Sequence, residues 1–252
     1  MRYSILATEG PHDQAFLAKL LKVIGFKAIE DDYNSLDPFW KGFVPKYPPA
    51  SGRLYTRMNM PSILASQTDS VAIYWGEGSN LVDNVIALAA NNSDYKDAIH
   101  AFGLVVDADD KQPNIVAKEK AQKLQIIFPT MSEIPGEITP GTPRTGIYVL
   151  PDNQGQGTLD SCLVKCASVV YPDHRTGAEK FLNELDSRHT SHLRTSIARE
   201  KAVVACIVGV LKPGKSNTAS LADNNWVSKQ TVSNVDEISS LCGFVKSLLE
   251  IS

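Results

Sequence analysis

Carboxylate residues follow two short apolar segments of the chain, and their spacing is suited to binding a divalent cation. Glu9 ends the first segment and Asp13 lies one helical turn further on, whereas Asp107, Asp109 and Asp110 end the second segment. In an open α/β sheet, residues at the carboxyl ends of strands line the crevice in which ligands bind. Because side chains alternate along an extended chain, Asp107 and Asp109 are predicted to project to one side and Asp110 to the other. Oxygen ligands of this kind are typical of a site for Mg²⁺ or Mn²⁺.

The same carboxylates predict a chemistry, the hydrolysis of a phosphate ester. Carboxylates held close together raise one another's pKa unless a cation lies between them. Asp107 and Asp109, with Asp160 or Asp13, are enough for one or two Mg²⁺ ions, since Mg²⁺ usually takes one or two carboxylates together with waters and phosphate oxygens. Such ions activate water and neutralise charge on the phosphoryl group. Glu9 is then a candidate either for a general base or acid or for a ligand that bridges two ions.

These residues resemble the signature of the Toprim domain, in which a Glu-Gly pair ends one strand and an Asp-x-Asp sequence ends a later one. The sequence E-G-P-H-D at residues 9–13 is most similar to the OLD-type nucleases and their small stand-alone relatives. The sequence G-T-L-D at residues 157–160 resembles the part of those relatives that supplies a further metal-binding acid. Asp160 stands where the family has Glu, which keeps the charge and shortens the side chain. The resemblance covers most of the chain and implies a metal-dependent nuclease acting on DNA or RNA.

A positively charged residue beside the acids is implied as well. In similar stand-alone Toprim proteins, a lysine that opens a late helix is a candidate to contact the scissile phosphate. The matching catalytic candidate here is Lys201, and Lys212 and Lys215 are alternatives. For each of these three residues, a solvated surface lysine fits the sequence at least as well.

Substrate contacts are predicted around the start of the first helix. Residues 11–24 have the apolar spacing of an α-helix, with Pro11 in its first turn. The amino end of this helix, at Gly10, would present N–H groups and a positive dipole to an anion such as phosphate. His12 and Asp110 border the same crevice, and we assign them to the substrate-binding group too. An exposed histidine without a function fits His12 equally well.

The order of the segments predicts an α/β fold of Toprim type, with a largely parallel sheet flanked by helices. Residues 1–160 are predicted to form the α/β core, with an insertion at about residues 28–70. Residues 161–252 are predicted to form a mostly helical part packed on the core, as a second domain or within a single one. After the first strand, the predicted strands are at residues 71–75, 101–106 and 146–150, and the predicted helices at 11–24, 80–90, 113–124, 160–186 with a break near 172, 197–211 and 235–249.

The insertion at residues 28–70 is rich in aromatic and basic residues. A loop of this length inside a compact domain is often functional, and aromatic rings between basic side chains are suited to stacking on a single nucleic-acid strand. The favoured alternative is that Phe39, Trp40 and Phe43 pin the segment onto the core. The basic residues of the segment are Lys41, Lys46, Arg53 and Arg57.

Composition narrows the classes of function. The 252 residues carry a formal net charge of -3 and 43% hydrophobic residues, which is typical of a globular protein and gives no overall attraction to nucleic acid. We find no apolar segment long enough for a membrane span and no signal-peptide pattern, so a soluble cytoplasmic protein is expected. The cysteines lack the spacing of a zinc site and are expected to be reduced, buried thiols. These residues are Cys162, Cys166, Cys206 and Cys242.

Three functions fit these observations. The first is a nuclease that depends on Mg²⁺ or Mn²⁺; because the chain has no ATP-binding loop motif, an ATPase partner acting in trans is compatible with it, as is a homo-oligomer. The second is a Toprim fold used as a non-catalytic binding or assembly module, which the acidic isoelectric point favours. The third is hydrolysis of a small phosphate ester, which requires a closed pocket in place of an open groove.

Overall fold

A central parallel strand with two parallel neighbours sets the layout of the fold. The computed structural model describes residues 1–29, 33–45, 59–91, 98–186, 188 and 190–251. In it, β1 (Arg2–Thr8) lies between β4 (Asp69–Trp75) and β5 (Ala101–Asp107), and β7 (Arg144–Leu150) lies beside β5, all in parallel. Three short strands add antiparallel pairings at the edges: β2 (Lys27–Ala28), β3 (Ser62–Ala65) and β6 (Ile138–Thr139). Among the described residues the strand order is β2-β3-β4-β1-β5-β7-β6.

The parallel strands are almost continuous runs of apolar residues, which suits strands buried on both faces. In β5, Ala101 and Val105 belong to the apolar core on the first face of the sheet, whereas Phe102, Leu104 and Val106 belong to the core on the second face. Side chains that alternate in this way require helices on both faces.

Helices cover both faces of the sheet. The first face packs against α1 and against the helices that follow β7, and the second face packs against the helices between β2 and β6. The helices are α1 (Pro11–Val23), α2 (Pro38–Lys41), α3 (Leu81–Asn91), α4 (Pro113–Leu124), α5 (Leu159–Val170), α6 (Pro172–Glu184), α7 (Ser196–Leu211), α8 (Asn217–Asp223), α9 (Lys229–Asn234) and α10 (Asp236–Leu249).

The predicted α/β fold, with a largely parallel sheet flanked by helices, is confirmed. α1 ends one residue before its predicted end, and α4 has the predicted bounds. The predicted helix at residues 160–186 consists of α5 and α6, and Pro172 is the first residue of α6 because proline suits the first turn of a helix.

The insertion at residues 28–70 differs from the predicted irregular segment, because β3 joins the sheet as an antiparallel neighbour of β4. Trp40 and Phe43 are buried in the core on the second face, and Trp40 Nε1 donates a hydrogen bond to Ser70 Oγ (2.8 Å). These aromatic side chains therefore pin the described part of the insertion onto the core. Three of its basic residues lie outside the described residues, so strand binding there stays a prediction. They are Lys46, Arg53 and Arg57.

Two further features concern the helices. Among the described residues, no helix combines the length and the apolar character that crossing a membrane requires. Cys162, Cys166 and Cys242 are buried free thiols, and Cys206 is partly buried.

Candidate active site at the carboxyl edge of the sheet

The acidic residues at the ends of β1 and β5 meet at one edge of the sheet. The two strands are parallel neighbours in which Thr8 pairs with Val105, so Glu9 and Asp107 leave their strands at the same edge. At this point the chain changes faces: α1 packs on the first face, whereas α3 and α4 pack on the second. Such a switch point opens a crevice at the carboxyl ends of the strands, where ligands of α/β proteins bind.

Asp13 and Asp107 accept hydrogen bonds from backbone N–H groups at the starts of two helices. Asp13 Oδ2 accepts from the Gly10 N–H (2.9 Å) at the start of α1. Asp107 Oδ1 accepts from the Leu159 N–H (2.9 Å), the first residue of α5. The amino ends of both helices therefore lie at the acids, where the helix dipole favours negative charge. A phosphate group in the crevice would meet the same positive field.

The segment before α5 is paired with the second acidic segment. The Asp109 N–H donates to the Gly157 carbonyl (2.8 Å), and the Gly157 N–H donates to the Asp109 carbonyl (2.9 Å). Gly157 has a φ of 144°, and a Cβ atom there would lie 2.7 Å from Ser161 Oγ. Only glycine fits this backbone and this space. The pairing fixes the start of α5 and hence Asp160, which lies in its first turn.

Ser161 links α5 to α7. Its Oγ accepts a hydrogen bond from the Thr158 N–H (3.1 Å) and donates one to Glu200 Oε2 (2.5 Å). Glu200 precedes Lys201 on α7. This contact therefore holds the part of α7 that carries Lys201 beside the crevice.

A pocket of about 350 Å³ contains most of the predicted site residues. Its walls are α1, the end of β5, α5, α7 and α8, and its volume is that of a small-molecule cleft. Six of the nine residues assigned from sequence line it. They are Gly10, His12, Asp13, Asp107, Asp160 and Lys201, and the other lining residues are Leu159, Leu163, Asn217 and Leu221.

Burial and mutual repulsion raise the pKa of the acids in the pocket. For Asp107 the largest cause is burial, followed by the charges of Asp13 and Glu9. Burial is also the largest cause for Asp13, and the charge of Glu9 adds to it. Burial raises the pKa of Asp160, against the opposing charges of Lys201 and His12. A cation among these groups would remove the repulsion.

Glu9 lies between two lysine side chains that come from opposite faces of the sheet. Burial raises the pKa of Glu9, and the charges of Lys120 and Lys201 oppose this rise. Lys120 Nζ is 4.0 Å from Glu9 Oε1. Lys120 belongs to α4 on the second face, whereas Lys201 belongs to α7 on the first. His12, at the start of α1, is exposed, and partial desolvation lowers its pKa although the nearby charge of Asp160 raises it.

The predicted alternation of the second acidic segment is wrong. β5 ends at Asp107, and Asp109 has a φ of 52°, so the chain is not extended through Asp110. Asp109 takes this left-handed conformation, which Asp tolerates, where it pairs with Gly157. Both Asp109 and Asp110 are exposed and lie outside the pocket lining, although the charge of Asp109 still acts on Glu9. The Asp110 carbonyl accepts a hydrogen bond from the Gln156 side chain.

Lys120 and Asn217 are residues around the site that the sequence analysis missed. Lys120 had a signal, because it falls on the buried stripe of α4 that contains Ala117, Ala121 and Leu124. No pattern in the sequence marked Asn217 as a site residue, because it opens α8, a seven-residue helix without a sustained apolar period.

Asp13, Asp107 and Asp160 have the donor type that fits a hard divalent cation. Thr8 and Thr158, which lie next to Glu9 and Leu159 in the chain, have buried hydroxyl oxygens without a hydrogen-bond partner in the described structure. Within the described ranges, no three His, Cys, Asp or Glu side chains are placed to hold an ion unaided. Mg²⁺ does not require such a cage, since it takes most of its ligands from water and substrate.

One family model matches residues 3–249 of the chain, and its description is a protein of unknown function (DUF3226). No curated protein matches the chain.

Solved structures are similar to this chain at low sequence identity. The crystal structure of hypothetical protein PH0156 from Pyrococcus horikoshii OT3 has a TM-score of 0.55 and 13% identity, over 98% of this chain and 95% of that chain. This similarity shows a common α/β fold. The C-terminal region of the OLD protein from Xanthomonas campestris pv. campestris has a TM-score of 0.44 and 12% identity, over 98% of this chain and 96% of that chain.

Proposed function

Because the chain belongs to the family described as a protein of unknown function (DUF3226), we propose a function from its own site: metal-dependent hydrolysis of phosphodiester bonds in DNA or RNA. The observation that carries this proposal is the convergence of Asp13, Asp107 and Asp160 with Lys201 on one pocket. Acids that repel one another without a cation, beside a lysine, are suited to holding a cation and a phosphate together. The resemblance to Toprim nucleases of OLD type supports the same proposal.

Asp107, with Asp13 or Asp160, would hold one or two Mg²⁺ or Mn²⁺ ions together with water and substrate oxygens. When bound, such ions activate water and offset the charge that develops on the phosphoryl oxygens. Asp107 Oδ1 accepts a hydrogen bond from the Leu159 N–H, which fixes the orientation of this carboxylate among the residues that would hold the cation.

Glu9 is the candidate proton acceptor. Its side chain is 25% exposed, so water can reach it, and burial raises its pKa toward the range in which a general base works at neutral pH. Lys201 would contact the phosphoryl oxygens, and His12 at the start of α1 would contact the substrate. A partner ATPase in trans and a homo-oligomer belong to this proposal only by analogy with OLD-type systems.

A small phosphate ester is the second candidate substrate. α8 bounds the pocket on one side through Asn217 and Leu221, and the volume of about 350 Å³ suits a small ligand. A non-catalytic module has less support, because Asp13, Asp107 and Asp160 line one common pocket and do not face away from one another.

The test is cleavage of circular DNA, linear DNA, single-stranded DNA and RNA in Mg²⁺ or Mn²⁺. The wild-type protein should cleave at least one of these and stop when EDTA is added. Glu9→Gln should lower the rate about 10²- to 10⁴-fold, the usual contribution of a general acid or base. Asp107→Asn should lower it about a hundredfold or more, because the site loses a charged ligand.

The control is Glu184→Gln, which changes an acid that is 68% exposed and does not line the pocket. It should cleave at the wild-type rate. Cleavage that persists in Glu9→Gln and Asp107→Asn, or that needs no metal, would refute the proposal. Hydrolysis of a phosphate monoester without cleavage of any polymer would favour the second candidate.

A further inference from the structure

We infer that Lys120 forms a second phosphate-binding subsite, on the opposite side of Glu9 from Lys201, which binds a second phosphate of a nucleic-acid strand. This inference rests on the proposed function and adds a substrate-positioning residue to it. One phosphate would lie in the pocket beside Lys201, and a neighbouring phosphate of the same strand would lie beside Lys120.

The ammonium group of Lys120 is poorly satisfied by the protein. Its Nζ lies 4.0 Å from Glu9 Oε1, which makes an ion pair but is too long for a hydrogen bond. Across the described ranges, the structure shows no hydrogen bond from this ammonium, which has three donors. Only 20% of the side chain is exposed, yet its nitrogen is not among the buried polar atoms of the described structure that lack a partner, so a ligand can reach it from solvent. An ammonium that solvent reaches and that makes no hydrogen bond within the described part of the protein is free to donate to an anionic ligand.

Other lysines that form ion pairs are placed differently. Lys111 and Lys212 lie 2.9 Å and 2.8 Å from their partner carboxylates, and their side chains are 53% and 33% exposed. Lys165 contacts its partner directly. Lys180 lies 3.9 Å from its partner carboxylate, but its side chain is 75% exposed, so water accepts the hydrogen bonds of its ammonium group. Among these five lysines, Lys120 therefore has the longest ion pair and the least exposed side chain.

The surface beside Glu9 has room for a ligand. The Gly78 N–H donates to the Glu9 carbonyl (2.9 Å), so the loop after β4 lies next to Glu9. Beyond its chain neighbours, no described atom lies within 4 Å of the position that a Cβ atom would take on Gly78. Glu9 itself is 25% exposed, so a strand that leaves the pocket of Lys201 would pass over Glu9 to reach Lys120.

A substrate with one phosphate and a substrate with several should differ in how many of the two subsites they occupy. A diester with a single phosphate can occupy only one subsite, and the reaction requires that it be the one beside the acids and Lys201. An oligonucleotide can occupy both subsites at once. The contribution of Lys120 to binding should therefore be seen with an oligonucleotide and not with a single diester.

The test compares bis(p-nitrophenyl) phosphate with a single-stranded DNA oligonucleotide. Lys120→Met should lower kcat/KM for the oligonucleotide about tenfold or more, mainly through KM, because a charge-assisted contact is lost. With bis(p-nitrophenyl) phosphate, which cannot occupy both subsites, any loss should be smaller than with the oligonucleotide and should appear in kcat, because it can arise only through the lost charge beside Glu9. Lys201→Met should lower kcat/KM for both. Lys118→Met and Lys123→Met, exposed on the same helix, are the matched controls and should change neither.

Binding of the same oligonucleotide at several salt concentrations, measured by fluorescence anisotropy, is the second readout. Lys120→Met should reduce the slope of log K against log salt by about 0.7, the value for one phosphate contact on a single strand. Circular dichroism melting of each variant establishes that it is folded.

Equal losses with both substrates would mean that Lys120 acts only through Glu9 and would overturn the inference, as would no loss with either. If the wild-type protein hydrolyses neither substrate, the proposed function fails, and the binding readout then decides on the subsite alone. Equal affinity and equal salt slope for wild type and Lys120→Met, or no binding by wild type, would overturn it.

Discussion

Asp107 is a residue whose charge destabilises the fold when no cation is present. Burial and the charges of Asp13 and Glu9 raise its pKa, so its ionisation at neutral pH costs folding free energy. Asp107→Asn, which can still accept the hydrogen bond of Leu159, should therefore raise the free energy of unfolding in EDTA, because a neutral amide is not repelled by Asp13 and Glu9 and loses less hydration on burial. Added Mg²⁺ should stabilise wild type and leave the variant unchanged. Urea unfolding measures both effects, and a less stable variant in EDTA would contradict the account.

This difference in stability should grow with pH. Because the folded-state pKa of Asp107 is raised above its unfolded value of about 4, the folded state holds the proton more tightly. The stability of wild type relative to Asp107→Asn therefore falls as pH rises from about 4 through the raised pKa. In EDTA, the advantage of Asp107→Asn should be smaller at pH 5 than at pH 8. The same advantage at both pH values would contradict the raised pKa.

Most site residues could be predicted because short patterns set their positions. Glu9 and Asp107 follow continuous apolar strands, and Asp13 lies in the first turn of a helix that its own sequence specifies. The conformation of Asp109 could not be predicted, since it depends on pairing with Gly157 far along the chain. The position of Lys120 on the buried stripe of α4 could have identified it, since a lysine on an apolar face departs from that pattern.

Among the elements, those with continuous apolar runs or a clear helical period were predicted, and the short ones were not. β2 and β3 have two and four residues, and their place in the sheet comes from pairing between distant segments, which no local pattern contains. α8 and α9 have seven and six residues. Their signals were the serine caps, since Ser216 and Ser228 each accept a hydrogen bond from a backbone N–H in the first turn.

The segment between β7 and α5 is the element that we expect to be most sensitive to a small change. Gly157→Ala should cost about 1 to 3 kcal/mol, because its φ of 144° suits only glycine and the new Cβ would meet Ser161 Oγ at 2.7 Å. It should also lower Mg²⁺-dependent activity, because this segment positions Asp160. The unfolding free energy in urea and the cleavage rate measure the two effects.

Gly177→Ala is the matched control for this substitution. Gly177 lies inside α6, and no described atom beyond its helix backbone and chain neighbours lies within 4 Å of its Cβ position. Alanine should therefore raise stability by about 0.5 to 1 kcal/mol through its higher helix propensity. If Gly157→Ala were as stable as Gly177→Ala, the tight backbone before α5 would be refuted.

In the whole molecule, the site depends on helices from both faces of the sheet. The core on the first face joins Leu6 of β1 to Val204 of α7 and Leu248 of α10, so the helices after residue 160 are packed on the sheet that carries the acids. They supply Lys201, whereas α4 on the second face supplies Lys120. Because the net charge is -3, the molecule as a whole repels a polyanion, and a bound cation with these two lysines would have to offset this repulsion locally.

The central claim is that the carboxylates of this crevice bind a divalent cation, and calorimetric titration of Mn²⁺ into the purified protein tests it most directly. Wild type and Glu184→Gln should bind Mn²⁺ with the same heat and affinity, whereas Asp13→Asn/Asp107→Asn should give no binding heat, because two of the three pocket carboxylates lose their charge. Binding by the double variant equal to that of wild type, or no binding by wild type, would contradict the account.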